Sequence, residues 1–343
     1  MRRTVTRHII PWIITLAAIF FVSRDIDINI LLSFLSKGHA GLLTAAVLIT
    51  TGSYMFRARR WQTFLPTANL NYKNSLTVLI FGFLMNNLLP ARAGEFVRAH
   101  LGAKIAGCSK TFVLATIASE RIADGLCLSG FFLIFGLGIG SEQDSANFRW
   151  VAYAFAFASL IIVTLISSKK QIFYCLDVLK QMWGYSPFHF FLSRIRLFLE
   201  GFDPLTNPSA LLTIILWSVF IWTLELLVFY SVGSAYGGFI SIPTAVLFMV
   251  SSNFSSLIPS APGAIGVIEA VATEALVATG IERELALAMV LTQHCIQFLV
   301  TGIGGAIAFQ LIRKQVYTSV NSDIPVLHSS KENVSASLVT KVT

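Results

Sequence analysis

The sequence predicts an all-α integral membrane protein with about six spanning helices and two re-entrant helical hairpins arranged as inverted repeats. Three observations carry that prediction. The first is composition: of 343 residues, 55% are hydrophobic and 12% are charged, and the mean hydropathy is +0.74. Soluble domains carry roughly 25% charged residues, and half that level cannot coat a water-facing surface. The second is a series of apolar runs, most of them close to the ~20 residues that a spanning helix takes. The third is a Pro/Gly break that occurs twice along the chain.

The apolar runs cover residues 9–23, 41–56, 76–89 (stopped by Pro90), 111–138, 150–167, 210–232, 242–258 (stopped by Pro259), 263–279 and 285–312. The first follows Arg2, Arg3 and Arg7 and ends Phe-Phe-Val-Ser-Arg-Asp, with no small-x-small cleavage site. It therefore reads as an uncleaved helix and not as a signal peptide. Residues 169–207 are amphipathic and basic, with Phe173, Tyr174, Trp183 and Tyr185 interspersed, which predicts a helix lying at the cytoplasmic interface. Residues 1–314 form the expected membrane domain, and 315–343, rich in Ser, Thr and Val, the expected disordered cytoplasmic tail.

The net charge of +8 sits in short clusters at the ends of apolar runs. That is the orientation signal of a membrane protein and excludes a nucleic-acid stripe. Cys108, Cys127, Cys175 and Cys295 form no CxxC pair and read as small apolar residues, so no metal, redox centre or other cofactor is expected.

The repeat is visible in the residues. Asn86-Asn-Leu-Leu-Pro90-Ala-Arg-Ala-Gly94 aligns with Ser255-Ser-Leu-Ile-Pro259-Ser-Ala-Pro-Gly263 at an offset of 169. Further on, Gly107 through Glu120-Arg121 to Gly130 runs parallel to Gly280 through Gln293-His294 to Gly302. Repeat one spans about 75–138 and repeat two about 242–312. Proline ends a helix and glycine permits a sharp reversal. Non-helical backbone at membrane depth is tolerated only inside protein or along a wet cavity. Residues 91–106 carry Arg92, Glu95, Arg98, His100 and Lys104, which argues against a lipid-exposed full span there. Two hairpins place both termini in the cytoplasm. Excluding the tail, 16 Lys and Arg then fall inside, Arg57, Arg59 and Arg60 among them, against 4 outside. Three crossings separate the hairpins, so the repeats have opposite orientation.

The candidate site residues cluster at the breaks. Arg92 and Glu95, and again Glu95 and Arg98, are three apart at a helix start, where they can pair. A helix start also suits a phosphate. Arg92, beside the tip, is read as functional, whereas Arg98 and Lys104 are read as headgroup anchors. Glu120, Arg121 and Asp124 lie in an otherwise apolar helix, either facing a cavity or forming a salt bridge with Arg92 or Arg98 that locks the hairpin. In repeat two, Pro262 suits a first helical turn, Ser260 is a candidate cap, and Gly263 and Gly266 permit close approach. Tight packing of small residues is the competing reading of those glycines. Glu269 is the acid nearest that tip. Glu225 is a further intramembrane acid that can pair with an arginine or carry a proton, and His294 reads as a satisfied polar contact.

Three of these motifs in order, Asn86-Asn-Leu-Leu-Pro-Ala-Arg-Ala-Gly-Glu95, Glu120-Arg121-x-x-Asp124 and Ile258-Pro-x-x-Pro-Gly-x-x-Gly-x-x-Glu269, resemble the lysylphosphatidylglycerol synthase membrane-region family. That family includes the flippase half of the bacterial multiple peptide resistance factor. The resemblance covers about residues 9–314, with Ala264 where a further glycine is usual. It implies a multi-pass protein of the bacterial cytoplasmic membrane that moves a phospholipid or other lipid phosphate between leaflets. No aminoacyl-transfer domain follows Lys314, so synthase activity is not expected.

The implied substrate contacts are Asn86, Asn87, Pro90, Arg92, Gly94, Glu95, Glu120, Arg121, Asp124, Pro259, Pro262, Gly263, Gly266 and Glu269. Arg92 and Arg121 would hold phosphate. Glu95, Asp124 and Glu269 would meet a cationic headgroup or a proton, and the prolines and glycines would shape the tips. The expected partners are a membrane lipid and a separate lipid-modifying enzyme. The rival readings are a membrane glycosyl- or acyl-transferase using Glu120 and Asp124, and an accessory protein that presents lipid. The topology has a direct test. Single cysteines replacing Lys73 and Lys180 are expected to label only from the cytoplasm, and one replacing Glu142 only from outside. Labelling at 180 from outside breaks the inverted count.

Overall fold

The computed structural model describes residues 2–65, 70–135, 168–182 and 186–322, with single positions at 153, 157, 160 and 164. The expected span at 150–167, the end of the run at 111–138 and the tail beyond 322 fall wholly or almost wholly outside the described residues. Among the described residues all regular structure is helical. The main helices are α1 (Arg2–Ser23), α2 (Ile28–Ser36), α3 (Ala40–Thr63), α4 (Tyr72–Leu88), α5 (Gly94–Ala106) and α6 (Lys110–Phe135). They continue as α7 (Lys169–Met182), α8 (Ser186–Glu200), α9 (Pro208–Ser234), α10 (Ile242–Ser255), α11 (Val267–Val277) and α12 (Arg283–Ser322). The stretch expected to lie at the interface as one helix forms two, and α12 runs eight residues into the segment expected to be disordered.

Helix starts are written locally. Asp27, Asn71, Asn207 and Ser241 each accept a hydrogen bond from a backbone N–H in the first turn of α2, α4, α9 and α10. Length then separates the elements. Among the described residues, Pro208–Ser234 and Arg283–Lys314 are each long and apolar enough to cross a bilayer, and α2 with α3, bent by 80°, makes a third as one broken span. Helices α5, α10 and α11, of 13, 14 and 11 residues, fall short of the ~20 a crossing takes. Leu212, Leu216 and Val219 of α9 and Leu299, Ile303 and Ile307 of α12 are exposed, forming apolar stripes suited to lipid.

The packing follows the apolar faces. Helix α3 lies along α9, α4 along α12, and the pairs α4/α5 and α10/α11 fold back on themselves. One core gathers Phe132, Phe229, Phe248 and Met249; a second gathers Trp61, Phe64, Leu79 and Ile117. Helix α1 covers α11, where Thr15 Oγ1 accepts from the Ala261 N–H at 2.9 Å.

Each break is a short 3₁₀ turn opened by proline, Pro90–Arg92 after α4 and Pro262–Ala264 before α11. The third residue of each, Arg92 (φ 54°) and Ala264 (φ 57°), adopts the left-handed conformation that side chains other than glycine rarely take. Gly94 and Gly266 follow at the helix starts. The local backbone therefore pairs Pro90 with Pro262, 172 positions on, and the sequence alignment to Pro259 is corrected by three residues. Gly130 and Gly302 fall in the same register. The two turns touch each other, and the second also packs on α4.

Gly94 serves closeness and not reversal, since the left-handed residue is Arg92. A Cβ at Gly94 would lie 2.2 Å from the Gly82 carbonyl oxygen and 2.5 Å from the Asn86 nitrogen. Gly94→Ala is expected to push α4 and α5 apart and cost about 1–3 kcal/mol, as overpacking does. A clear drop in the thermal unfolding midpoint in detergent checks it. Gly130→Ala, where a Cβ meets nothing within 4 Å, is the control expected to leave the midpoint unchanged.

Candidate functional site

Five arginines and four carboxylates gather where α3, α5, α6, α9 and the first tip converge. Helix α6 places Glu120 and Asp124 four apart on one buried face, and α3 answers with Arg57 and Arg60 three apart. Arg60, wholly buried, donates from Nη1 to Asp124 Oδ1 at 2.6 Å and holds Nη2 at 3.5 Å from Glu120 Oε1. Arg98 of α5 donates to Glu120 Oε2 at 2.7 Å while its guanidinium lies 4.0 Å over the Trp61 ring. Arg121 reaches Glu120 at 2.6 Å, Asp124 at 3.5 Å and Glu95 at 3.9 Å. On α9, Glu225 accepts from Arg57 at 3.0 Å and from Ser53 Oγ at 2.8 Å. Trp222 Nε1 and the Ser218 hydroxyl complete the shells of Asp124 and Arg60 at 3.0 and 2.8 Å.

Arg92 stands apart from this network. Among the described residues no carboxylate lies within ion-pair distance of its guanidinium; it donates instead to the backbone carbonyl of Ser256 at 3.2 Å and to Ser256 Oγ at 2.5 Å. It thereby ties the first tip to the end of α10. A cavity of about 280 Å³ opens beside it, near the lower end of the roughly 300–1,000 Å³ typical of ligand sites. Its walls combine Arg57, Arg92, Glu95, Arg121 and Glu225 with Asn86, Asn87, Tyr54 and Asn253, and with Pro259, Gly263, Ala264, His294 and Gln297 from the second repeat. Buried polar atoms without a hydrogen-bond partner remain here: Asn86 Oδ1 and the Nε atoms of Arg57 and Arg121.

The predicted residues sort into three groups. Asn86, Asn87, Arg92, Glu95, Arg121, Pro259 and Gly263 line the cavity. Glu120 and Asp124 sit behind it, each paired with arginines. Pro90, Gly94, Pro262 and Gly266 shape the two turns, and Gly263 does both. Glu269 is off the cavity wall: its Oε2 accepts from the Gly266 N–H at 2.6 Å and its Oε1 meets His294 Nδ1 at 2.6 Å. The start of α11 is thus capped by its own acid, and Ser260 bonds the Ile258 carbonyl instead of capping a helix.

Other expectations are corrected. The i,i+3 pairs Arg92–Glu95 and Glu95–Arg98 give way to longer-range partners, because the left-handed backbone at Arg92 aims its side chain at α10 and Glu120 draws Arg98 inward. Arg98 is a buried ion-pair partner and not a headgroup anchor. Arg57 and Arg60, read as cytoplasmic loop charges, are buried in α3, which continues past Phe56 to Thr63. Their helical spacing behind an apolar run was the available signal. Ser256 and Asn253 carried none, being ordinary polar residues at the end of an apolar helix. Among the described residues no group of His, Cys, Asp and Glu is placed to hold a metal ion.

Apolar helices wrapped around paired charges, with broken helices meeting at a cavity that charged side chains help to line, define a helical membrane protein. The chain belongs to the family described as the lysylphosphatidylglycerol synthase TM region, whose model matches residues 9–305. It is 25% identical to a UPF0104 membrane protein of Pyrococcus horikoshii, over 80% of this chain and 88% of the relative. A second UPF0104 membrane protein, of Methanothermobacter thermautotrophicus, is 22% identical over 72% and 78% of the two chains. The glycosyltransferase AglD of Haloferax volcanii is 24% identical over 92% of this chain and 56% of its own length.

The ion-pair network generates a stability prediction. Arg60→Ala leaves Glu120 and Asp124 short of a buried partner and is expected to cost about 3–5 kcal/mol, as breaking a buried pair does. Arg59→Ala, on an exposed residue of the same turn, is expected to stay within about 0.5 kcal/mol of the parent. Thermal unfolding of the two purified variants in detergent distinguishes them.

Proposed function

We propose that this protein binds a phospholipid or other lipid phosphate by its anionic headgroup in the cavity and moves it between leaflets. The observation that carries this reading is Arg92. Each other arginine of the cluster has a carboxylate partner, whereas Arg92, among the described residues, hydrogen-bonds Ser256 alone and faces the cavity. In a low-dielectric site a cation held by neutral oxygens favours an incoming anion far more than one already neutralised. Arg121 and the uncapped start of α5 reinforce the same anion, and Glu95 and Glu225 offer acceptors to a cationic portion of the headgroup. The touching tips and the matched 3₁₀ turns support an inverted-repeat arrangement with the site near the membrane midplane. On that reading both termini lie in the cytoplasm and the protein resides in the cytoplasmic membrane.

A second reading, in which the chain presents a lipid to a separate enzyme, draws on the likeness to a glycosyltransferase of which this chain matches 56%. Reconstitution separates the two, since only the first gives movement of a fluorescent phospholipid between leaflets of vesicles holding the purified protein. Arg92→Ala is expected to reduce that movement at least about tenfold, the worth of one charge-assisted contact, with the unfolding midpoint little changed. Arg92→Lys is expected to retain part of it, because charge persists while the planar fork is lost. Parent-level movement in Arg92→Ala removes this residue from the site.

A further inference from the structure

His294 of α12 lies between two acceptors. Its Nδ1 is 2.6 Å from Glu269 Oε1 and its Nε2 is 3.1 Å from the carbonyl oxygen of Gly263. A neutral imidazole carries one N–H and cannot donate to both. The arrangement is complete only with one more proton on the pair, either as imidazolium with carboxylate or as imidazole with carboxylic acid. Glu269 Oε2 already accepts from the Gly266 N–H at 2.6 Å, which leaves Oε1 for the imidazole. Both side chains are buried, at 7% and 9% exposure, yet His294 borders the cavity.

We infer that Glu269 and His294 form a proton-binding site that holds the second tip in place, and that loss of its proton releases the tip. With the proton gone, Nδ1–H stays on the Glu269 carboxylate, and the bare Nε2 lone pair faces the Gly263 oxygen at a distance made for a hydrogen bond. The two repel. The proton would act on the cavity wall itself: Gly263 at φ 70° is the middle residue of the turn, Gly266 at φ 84° follows it, and Gly263 and Ala264 form part of that wall. The surroundings leave this pair as the exchangeable one. Of the charged groups on the cavity wall, Glu225 is fixed by Arg57 and Glu95 faces Arg121, while Arg92 holds Ser256. On α11, Glu274 is bound to Arg283 of α12, away from the tip. Phe298 meets the imidazole edge-on with ring centroids 4.8 Å apart and brings no charge. The inference goes beyond lipid movement and does not depend on it.

Hydrogen exchange of the purified full-length protein, followed by mass spectrometry and corrected for the intrinsic effect of pH, reads the tip directly. As pH is raised across about 5 to 9, protection of peptides spanning 258–268 is expected to fall about tenfold in the parent, the fold-change expected when one bond to a charged donor is lost. Peptides of α9 serve as the internal reference. Glu269→Gln is expected to keep the tip protected at every pH, because the glutamine amide donates to Nδ1 and leaves Nε2–H for Gly263. His294→Gln is expected to give protection that no longer varies with pH. Unchanging protection in the parent overturns the inference, as does a pH dependence that survives in Glu269→Gln. Should His294→Gln expose the α9 peptides as well, the parent and Glu269→Gln decide alone.

Discussion

Charge in a low-dielectric interior is the constraint from which the rest of this structure follows. A single ionised side chain at the centre of a membrane helix costs about 2.5–3.5 kcal/mol on insertion scales. This chain carries nine in one cluster. Eight of them contact one another and Arg92 is held by Ser256, and the need for such partners fixes which helices adjoin. Asp124 binds α6 to α3 through Arg60 and to α9 through Trp222, and Glu225 closes the same helices from the other side. Arg98 sews α5 to α6 and, over Trp61, to α3. Such pairs do less for net stability than apolar packing of equal volume would. Breaking one is severe, so they specify register and neighbours more than they add free energy.

The broken helices are the second consequence. Arms of 11 to 14 residues cannot carry their ends across a bilayer, so those ends need polar company inside it. The tips find that company in each other, in α1 and in the first turn of α11. Arg92 donates to Ser256, Ala261 donates to Thr15, and the Gly266 amide is met by Glu269. Two non-glycine residues in left-handed backbone are the visible sign that these turns are held by their surroundings, because such a conformation costs on the order of 1–2 kcal/mol per residue.

Much of this was legible in the chain. Composition and apolar runs announce a helical membrane protein, and the prolines mark both breaks. The residues bordering the first break, Asn86 through Glu95, lead straight to the cavity. Where the reading failed, a local rule lost to a long-range partner. Spacing alone makes Arg92, Glu95 and Arg98 a chain of i,i+3 pairs, but the buried carboxylate of Glu120 is the stronger attractor for Arg98. Charge clusters at run ends usually mark the cytoplasmic face, and Arg57 and Arg60 obey the pattern while α3 carries them inward. The repeat register slipped by three because Pro259 matches a proline in sequence, whereas Pro262 opens the equivalent turn in the backbone. Pairings such as Arg57–Glu225, 168 residues apart, leave no local periodicity to read.

The distinction between Glu120 and Arg92 shows how one charged cluster serves both ends. Glu120 accepts from Arg98 and Arg121 and lies near Arg60, so its burial is complete and nothing remains for a ligand. Arg92 is held by two neutral oxygens of one serine residue, both belonging to the opposite tip. An anion that takes its guanidinium must compete with that contact, and the contact is also one of those that hold the tips together. On the proposed reading, binding and separation of the tips are therefore not independent events. The charge that would recognise the headgroup is the one that ties the tips together, while the paired charges behind it hold the scaffold.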